Sequence, residues 1–152
     1  MLHSSEFKCL HKTLAPRGLC DPSISDMKDT LNAKVKFREW FRPFAPMVRY
    51  EDRNKYFVFD GDSPYMSFAC PVRETYKEDL PAITHVDGTA RLQTVKESDN
   101  PFIYELLTEL ERKGNIPVLL NTSFNIKGLP ILITIDDALS ILKETELDNV
   151  VI

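Results

Sequence analysis

Asn121, Thr122, Ser123, Phe124 and Asn125 form a polar cluster at the end of a short apolar run, Pro117 to Leu120. Gly128 and Pro130 follow, and then a second apolar run, Ile131 to Ile133. Short apolar runs bounded by Gly and Pro predict a buried strand rather than a helix. A buried strand cannot end in amides and hydroxyls without giving them partners, because each one left unpaired costs about 1–3 kcal/mol. The cluster is therefore expected at the strand's carboxyl end, facing a crevice, where α/β sheets bind ligands. A hydrogen-bonded turn built from Asn121, Ser123 and Asn125 satisfies the same pattern.

A second group of chemically capable residues lies upstream. Lys34, Lys36, Arg38 and Arg42 stand among Trp40, Phe41 and Phe44, with Glu39 the one acid between them. A solvated face, or ion pairs with the chain's 23 acids, accounts for such cations one at a time. Lys and Arg beside rigid aromatics can also hold a phosphate, Arg as a fork and Lys as a point charge. A groove for single-stranded nucleic acid uses the same ingredients. The net charge of −4 argues against a general nucleic-acid footprint, which makes a chain basic.

The 152 residues suffice for one domain with a core, and 43% apolar with 28% charged residues is ordinary for a globular chain. No run approaches the ~18 apolar residues of a membrane span. The opening residues lack the apolar core of a signal peptide. Cys9, Cys20 and Cys70 are unevenly spaced with no C-x-x-C, which predicts reduced thiols in a cytoplasmic protein. Cys9, His11 and Cys20 match no standard zinc spacing, and no metal site is expected.

These residues need a frame. Residues 1–24 show no periodicity, and His11 to Pro22 reads as a loop or connector. Met27, Leu31 and Val35 give a narrow apolar stripe after Ser25-Asp26, predicting a helix to about Val35. Pro43 and Pro46 force the chain out of helical geometry, with Trp40, Phe41 and Phe44 as core anchors. Tyr56 to Phe59 and Tyr65 to Cys70 read as strands joined by a turn-rich loop. Ala82 to Val86 and Thr89 to Val95 flank Asp87-Gly88, a strong hairpin signal. Arg91 and Gln93 share one face of the second of these strands. His85, just before the turn, reads as a satisfied structural group. Asn100-Pro101 opens an amphipathic helix closed by Lys113-Gly114. Thr134 and Asp137 resemble a capping box for another helix, and Asn149 to Ile152 looks like a last strand. The order predicts a single α/β (α+β) domain with a mixed twisted sheet and packed helices.

Four segments together resemble the C-terminal, YrdC-like domain of the O-carbamoyltransferases that decorate antibiotics and nodulation factors. They are Asp29 to Pro46 (DTLNAKVKFREWFRPFAP), Ser63 to Met66 (SPYM), Thr84 to Val95 (THVDGTARLQTV) and Pro117 to Pro130 (PVLLNTSFNIKGLP). They fall in the family's order and cover the chain from about residue 25 to its end. The resemblance implies a connector over 1–24 and a carbamoyltransferase C-terminal, YrdC-like domain over 25–152. The stretch from Ser123 to Pro130 is also similar to that of threonylcarbamoyl-adenylate synthases, which share the fold.

By resemblance, the domain binds carbamoyl phosphate and ATP and forms carbamoyl-adenylate with release of phosphate and pyrophosphate. A separate N-terminal domain, which holds iron through histidines and has no counterpart in these residues, passes the carbamoyl group to a hydroxyl. The resemblance assigns Lys36, Arg42 and Arg91 to the phosphate of carbamoyl phosphate, with Arg38 completing the Lys-x-Arg pattern. It assigns Asn121, Thr122, Ser123 and Asn125 to the carbamoyl group and the nucleotide phosphates. Adenylation asks mainly for positioning and charge neutralisation, with Mg²⁺ across the ATP oxygens. Four features depart from the family: the connector is reduced to APRGLCDPS, Leu129 replaces a Glu, Ile135 replaces a Pro, and the final strand is expected to be short. They leave open a ligand-binding remnant that docks on a partner domain without turnover, and overall transfer by this chain alone is not expected.

Overall fold

A computed structural model describes residues 9–12, 17–35, 44–125, 134–144 and 149–151. Among the described residues, seven strands form one mixed sheet: β1 (Cys9–Lys12), β2 (Arg17–Cys20), β3 (Ala45–Arg49), β4 (Phe68–Pro71), β5 (Thr89–Val95), β6 (Val118–Ser123) and β7 (Asn149–Val151). Their order across the sheet is β4-β5-β3-β6-β2-β1-β7. The β3–β5 and β1–β7 pairs are parallel and the others antiparallel. The helices are α1 (Met27–Thr30), continued by a π-helical turn over Leu31–Val35, then α2 (Arg53–Tyr56), α3 (Pro101–Arg112) and α4 (Ile135–Glu144). This is the mixed α/β architecture expected from the order of elements.

The sheet is covered on both faces. Met47, Val95 and Leu119 pack with Leu19 against Ile103 and Leu107 of α3. Val48, Leu92, Val118 and Leu120 pack on the other side with Met27, Leu31, Tyr56, Phe57, Phe124 and Ala138. Side chains alternate between faces along a strand, so Val118 and Leu120 serve one layer while Leu119 serves the other. A strand buried on both sides reads as a continuous apolar run, which is why Val118 to Leu120 was visible in the sequence.

Helix α3 forms where the local signals agree. Asn100 Oδ1 accepts from the Ile103 amide at 3.1 Å and Pro101 takes the first helical position. Gly114, at φ +81°, turns the chain out of the far end. Arg49, at the end of β3, ties to α3 through Glu111 and through Thr108 Oγ1 at 3.2 Å, and to Asp52. Replacing Asn100 with alanine leaves the Ile103 amide without its cap, and a loss of about 1 kcal/mol is expected. A urea-unfolding series reads this as a lower midpoint with an unchanged slope. Helix α4 opens with its expected box: Thr134 Oγ1 accepts from the Asp137 amide at 3.2 Å and donates to Asp137 Oδ2 at 2.6 Å.

Several expectations are corrected. His11 to Pro22 is not a loop throughout: Cys9–Lys12 and Arg17–Cys20 are strands, paired to each other and to β7 and β6. Their pairing is with distant strands, which no local period reports. The stretch Tyr56 to Phe59 is not a strand. Tyr56 ends α2, and only Phe57 makes an isolated bridge, to Val72. Ala82 to Val86 is not a strand either. The Asp87-Gly88 turn is real, with Gly88 at φ +76° and its amide donating to His85 O at 2.9 Å. The strand after it pairs with β3 and β4 instead of folding back on 82–86. Asp26 makes no side-chain cap on α1. Strand β3 was not among the expected elements. Pro46 lies within it, opposite Leu120 of β6, and the β3–β5 register begins beyond it, at Met47.

The thiols also depart from expectation. Cys20 is disulfide-bonded, whereas Cys70 is free and buried. Sequence spacing did not show that the β1–β2 register sets Cys20 opposite Cys9. Burial pushes the Cys70 thiol up to about 11. Among the described residues no helix is long and apolar enough to cross a membrane.

Candidate functional site

The polar cluster lies at the carboxyl end of β6, as expected, and makes up the last half of the strand. Asn121, Thr122 and Ser123 are strand residues, paired in register with Leu19, Gly18 and Arg17 of β2. On its other side Asn121 pairs with Ala45 of β3. The backbone amides of these polar residues therefore have strand partners, and the strand need not stop at Leu120. Alternation places Asn121 and Ser123 on the α3 side of the sheet, past Leu119, and Thr122 on the opposite side. Thr122 is buried there.

Arg91 and Gln93 of β5 lie on the same side as Asn121 and Ser123. Their faces are linked by register: Gln93 pairs with Met47, and Met47 pairs with Leu119. The link is also direct. Asn121 Nδ2 donates to Gln93 Oε1 at 2.7 Å, and Gln93 Nε2 donates to the Pro64 carbonyl at 2.8 Å. Ala45 lies between these strands, and its small side chain leaves room for the carboxamides to meet across it. Ser123 Oγ donates to Asn125 Oδ1 at 2.7 Å, just beyond the strand. Of the sequence candidates, Arg91, Asn121 and Ser123 thus share one sheet face, and Asn125 joins Ser123. Thr122 does not share it. Lys36, Arg38 and Arg42 lie outside the described residues.

The loop before β4 closes over this face. Ser63 is buried and fixed to β5 on two sides: its amide donates to Thr94 Oγ1 at 2.8 Å and its hydroxyl to Leu92 O at 2.8 Å. Thr94 N returns a bond to Ser63 O at 3.0 Å. Three residues on, Met66 holds φ +58°, an uncommon value for a residue with a side chain. Its sulfur stands 3.8 Å from Asn121 Nδ2. The SPYM segment is therefore a buttress for the carboxamides, and Gln93 is a member of the site that sequence reasoning did not list. Its signal was present: in TARLQTV it shares a face with Arg91.

His85 sits at the turn before β5. Its Nδ1 lies 3.2 Å from Thr89 Oγ1, while Nε2 is buried without a hydrogen-bond partner among the described residues. It is thus only half satisfied. Burial holds its pKa below the ordinary imidazole value; Asp87 favours its charge, and Arg91 and Lys28 oppose it. Unfolding releases His85 to its ordinary pKa of about 6.5, so the unfolded chain takes up the proton first. Stability is expected to fall as pH drops below that value toward the lower folded pKa. Urea midpoints across pH 7 to 5 check this, and a His85→Asn chain should show a shallower fall.

The face is suited to an anion carrying a small planar group. Arg91 is an exposed guanidinium, and the carboxamides and hydroxyls beside it supply directional bonds. Among the described residues no group of three or more His, Cys, Asp or Glu is placed to hold a metal.

Comparison with known proteins agrees with this reading of the fold. Nodulation protein NolNO of Sinorhizobium fredii is 44% identical over 137 residues, covering 88% of this chain and 20% of that protein. The 3'-hydroxymethylcephem-O-carbamoyltransferase of Amycolatopsis lactamdurans is 42% identical over 121 residues, covering 76% of this chain and 23% of that enzyme. The chain therefore spans about a fifth to a quarter of the length of these relatives. Full-length HypF, solved in a phosphate- and nucleotide-bound form, superposes over 97% of this chain and 23% of its own, with TM-score 0.69 at 19% identity. That likeness establishes the expected YrdC-like fold. Residues 11–152 match the family described as the carbamoyltransferase C-terminus, and the chain belongs to it.

Proposed function

We propose that this domain binds carbamoyl phosphate and ATP and forms carbamoyl-adenylate, which a separate domain uses to carbamoylate a hydroxyl. The observation that carries the proposal is the shared face: Arg91 of β5 and Asn121 and Ser123 of β6 are turned to one side of adjacent parts of the sheet, joined through Gln93. Arg91 offers the fork that phosphate recognition favours. Asn121 and Ser123 offer an amide and a hydroxyl to the carbamoyl group and the nucleotide phosphates, with Asn125 supporting Ser123. Lys36, Arg38 and Arg42 would complete the cationic wall. Mg²⁺ carried on the ATP oxygens would neutralise developing charge. Overall, carbamoyl phosphate, ATP and one water become carbamoyl-adenylate, phosphate and pyrophosphate. The chain's own groups position and neutralise, and none needs to form a covalent bond.

The family and two proteins in the comparison support this reading. One relative is named for O-carbamoyl transfer, and HypF is titled as binding phosphate and nucleotide. The test is to incubate the chain with ATP, Mg²⁺ and carbamoyl phosphate and to measure pyrophosphate. Release that depends on carbamoyl phosphate and disappears in Arg91→Ala is expected. Binding of both ligands without pyrophosphate would instead indicate a module that needs its partner domain for turnover. Binding of neither would refute the proposal.

A further inference from the structure

We propose that Gln93 is a positioning residue that locks the Asn121 carboxamide with its oxygen offered to an N–H donor, so that the site selects a carbamoyl group over an acyl group of the same shape. This deepens the carbamoyl phosphate reading and rests on it.

The orientation follows from what each atom can do. A backbone carbonyl only accepts. The Pro64 carbonyl lies 2.8 Å from Gln93, so the end of Gln93 that meets it must be the NH₂ group. The other end, Oε1, is then turned to Asn121. An amide oxygen also only accepts, so Asn121 must present its own NH₂ there, at 2.7 Å. The second proton of that NH₂ has the Met66 sulfur at 3.8 Å. Turning Asn121 over would set oxygen against oxygen. The relay from Pro64 through Gln93 thus assigns both amides without reference to any ligand.

One atom is left over. Asn121 is 3% exposed, and its Oδ1 is buried with no hydrogen-bond partner among the described residues. Buried polar atoms are nearly always paired, and an orphan in a native structure is a standing cost that a donor removes. The relay fixes the chemistry of that donor: it must bring N–H or O–H, and cannot be a second acceptor. A carbamoyl group carries NH₂ beside its carbonyl. An acetyl group has the same planar outline with a methyl in that place, and would leave Asn121 Oδ1 unpaired.

The experiment measures dissociation constants for freshly prepared carbamoyl phosphate, acetyl phosphate and inorganic phosphate by calorimetry. The unaltered chain is expected to prefer carbamoyl over acetyl phosphate by roughly 10- to 100-fold, the range for a hydrogen bond whose loss leaves a buried group unpaired. Gln93→Met fills a similar volume but releases Asn121, and should bring that ratio toward one while leaving inorganic phosphate within about twofold. Gln93→Glu loses the donor to the Pro64 carbonyl but keeps an acceptor for Asn121 Nδ2, and so should keep the ratio, even though its charge weakens both phosphates together. A merely structural role for Gln93, anchoring Pro64, would spoil the glutamate chain as much as the methionine one. Equal binding of the two acyl phosphates by the unaltered chain overturns the inference alone. So does a full preference surviving in Gln93→Met, or a preference lost in Gln93→Glu. If the methionine chain does not fold, the glutamate chain decides by itself. Failure of the unaltered chain to bind any of the three overturns the carbamoyl phosphate reading beneath it.

Discussion

Arg91→Ala is expected to weaken carbamoyl phosphate binding by roughly 10- to 150-fold, the equivalent of about 1.5–3 kcal/mol for a bond to a charged group. Arg91 is exposed on β5, and the core of that strand is formed by Ala90 and Leu92 on its other side, with Val95 at the α3 end. Its removal should therefore leave stability within about 0.5 kcal/mol, as for other surface substitutions. Calorimetric titration paired with a urea melt separates the two effects. Arg91→Lys should recover only part of the affinity, because an ammonium gives a point charge in place of a fork. A loss of affinity accompanied by an equal loss of stability would mean that Arg91 serves the fold.

The largest stability effect is expected beside the site and not in it. Leu120 is fully buried next to Asn121 and packs into the layer that holds Phe57, Leu92, Phe124 and Ala138. Leu120→Ala removes its contacts and leaves a cavity, at about 2–5 kcal/mol. For a chain of this size that lowers the thermal midpoint by on the order of 10 °C. Because Asn121 and Ser123 project from the opposite face, carbamoyl phosphate affinity of the fraction still folded should change little. Calorimetric scanning measures the first effect, and titration well below the midpoint measures the second.

Residues whose structure is set by near neighbours were legible in the sequence. Asn100, Pro101 and Gly114 mark α3 because capping is a matter of a few adjacent groups. Thr134 and Asp137 mark α4 for the same reason. Gly88 marks its turn because few other residues take φ +76° at no cost. Strand pairing is different, because a strand's partner may be anywhere in the chain. Thr89 to Val95 was placed correctly as a strand but given Ala82 to Val86 as its mate, whereas β3 and β4 flank it. Residues 9–12 and 17–20 gave no period of their own, and pairing with β6 and β7 makes them strands.

The site was legible to a similar depth. The shared face of Arg91 and Gln93 followed from period two within one strand. That this face meets Asn121 depends on β3 lying between, and β3 was not among the expected elements. The polar residues after Leu120 suggested a strand end because partners for them could not be seen. The structure supplies those partners through Ala45 and Leu19 for the backbone and Gln93 for the side chain. Thr122, adjacent to two face residues, lies on the other side because the strand continues through it.

The account depends most on a single anion site spread across β5 and β6. Two-dimensional amide NMR of the chain, titrated with carbamoyl phosphate, tests this directly. Shifts at Arg91, Gln93, Asn121 and Ser123 that follow one dissociation constant, with α3's outer face unmoved, are the predicted result. Saturable shifts that involve Arg91 but leave Asn121 and Ser123 in place, or that fall on another surface altogether, would contradict it.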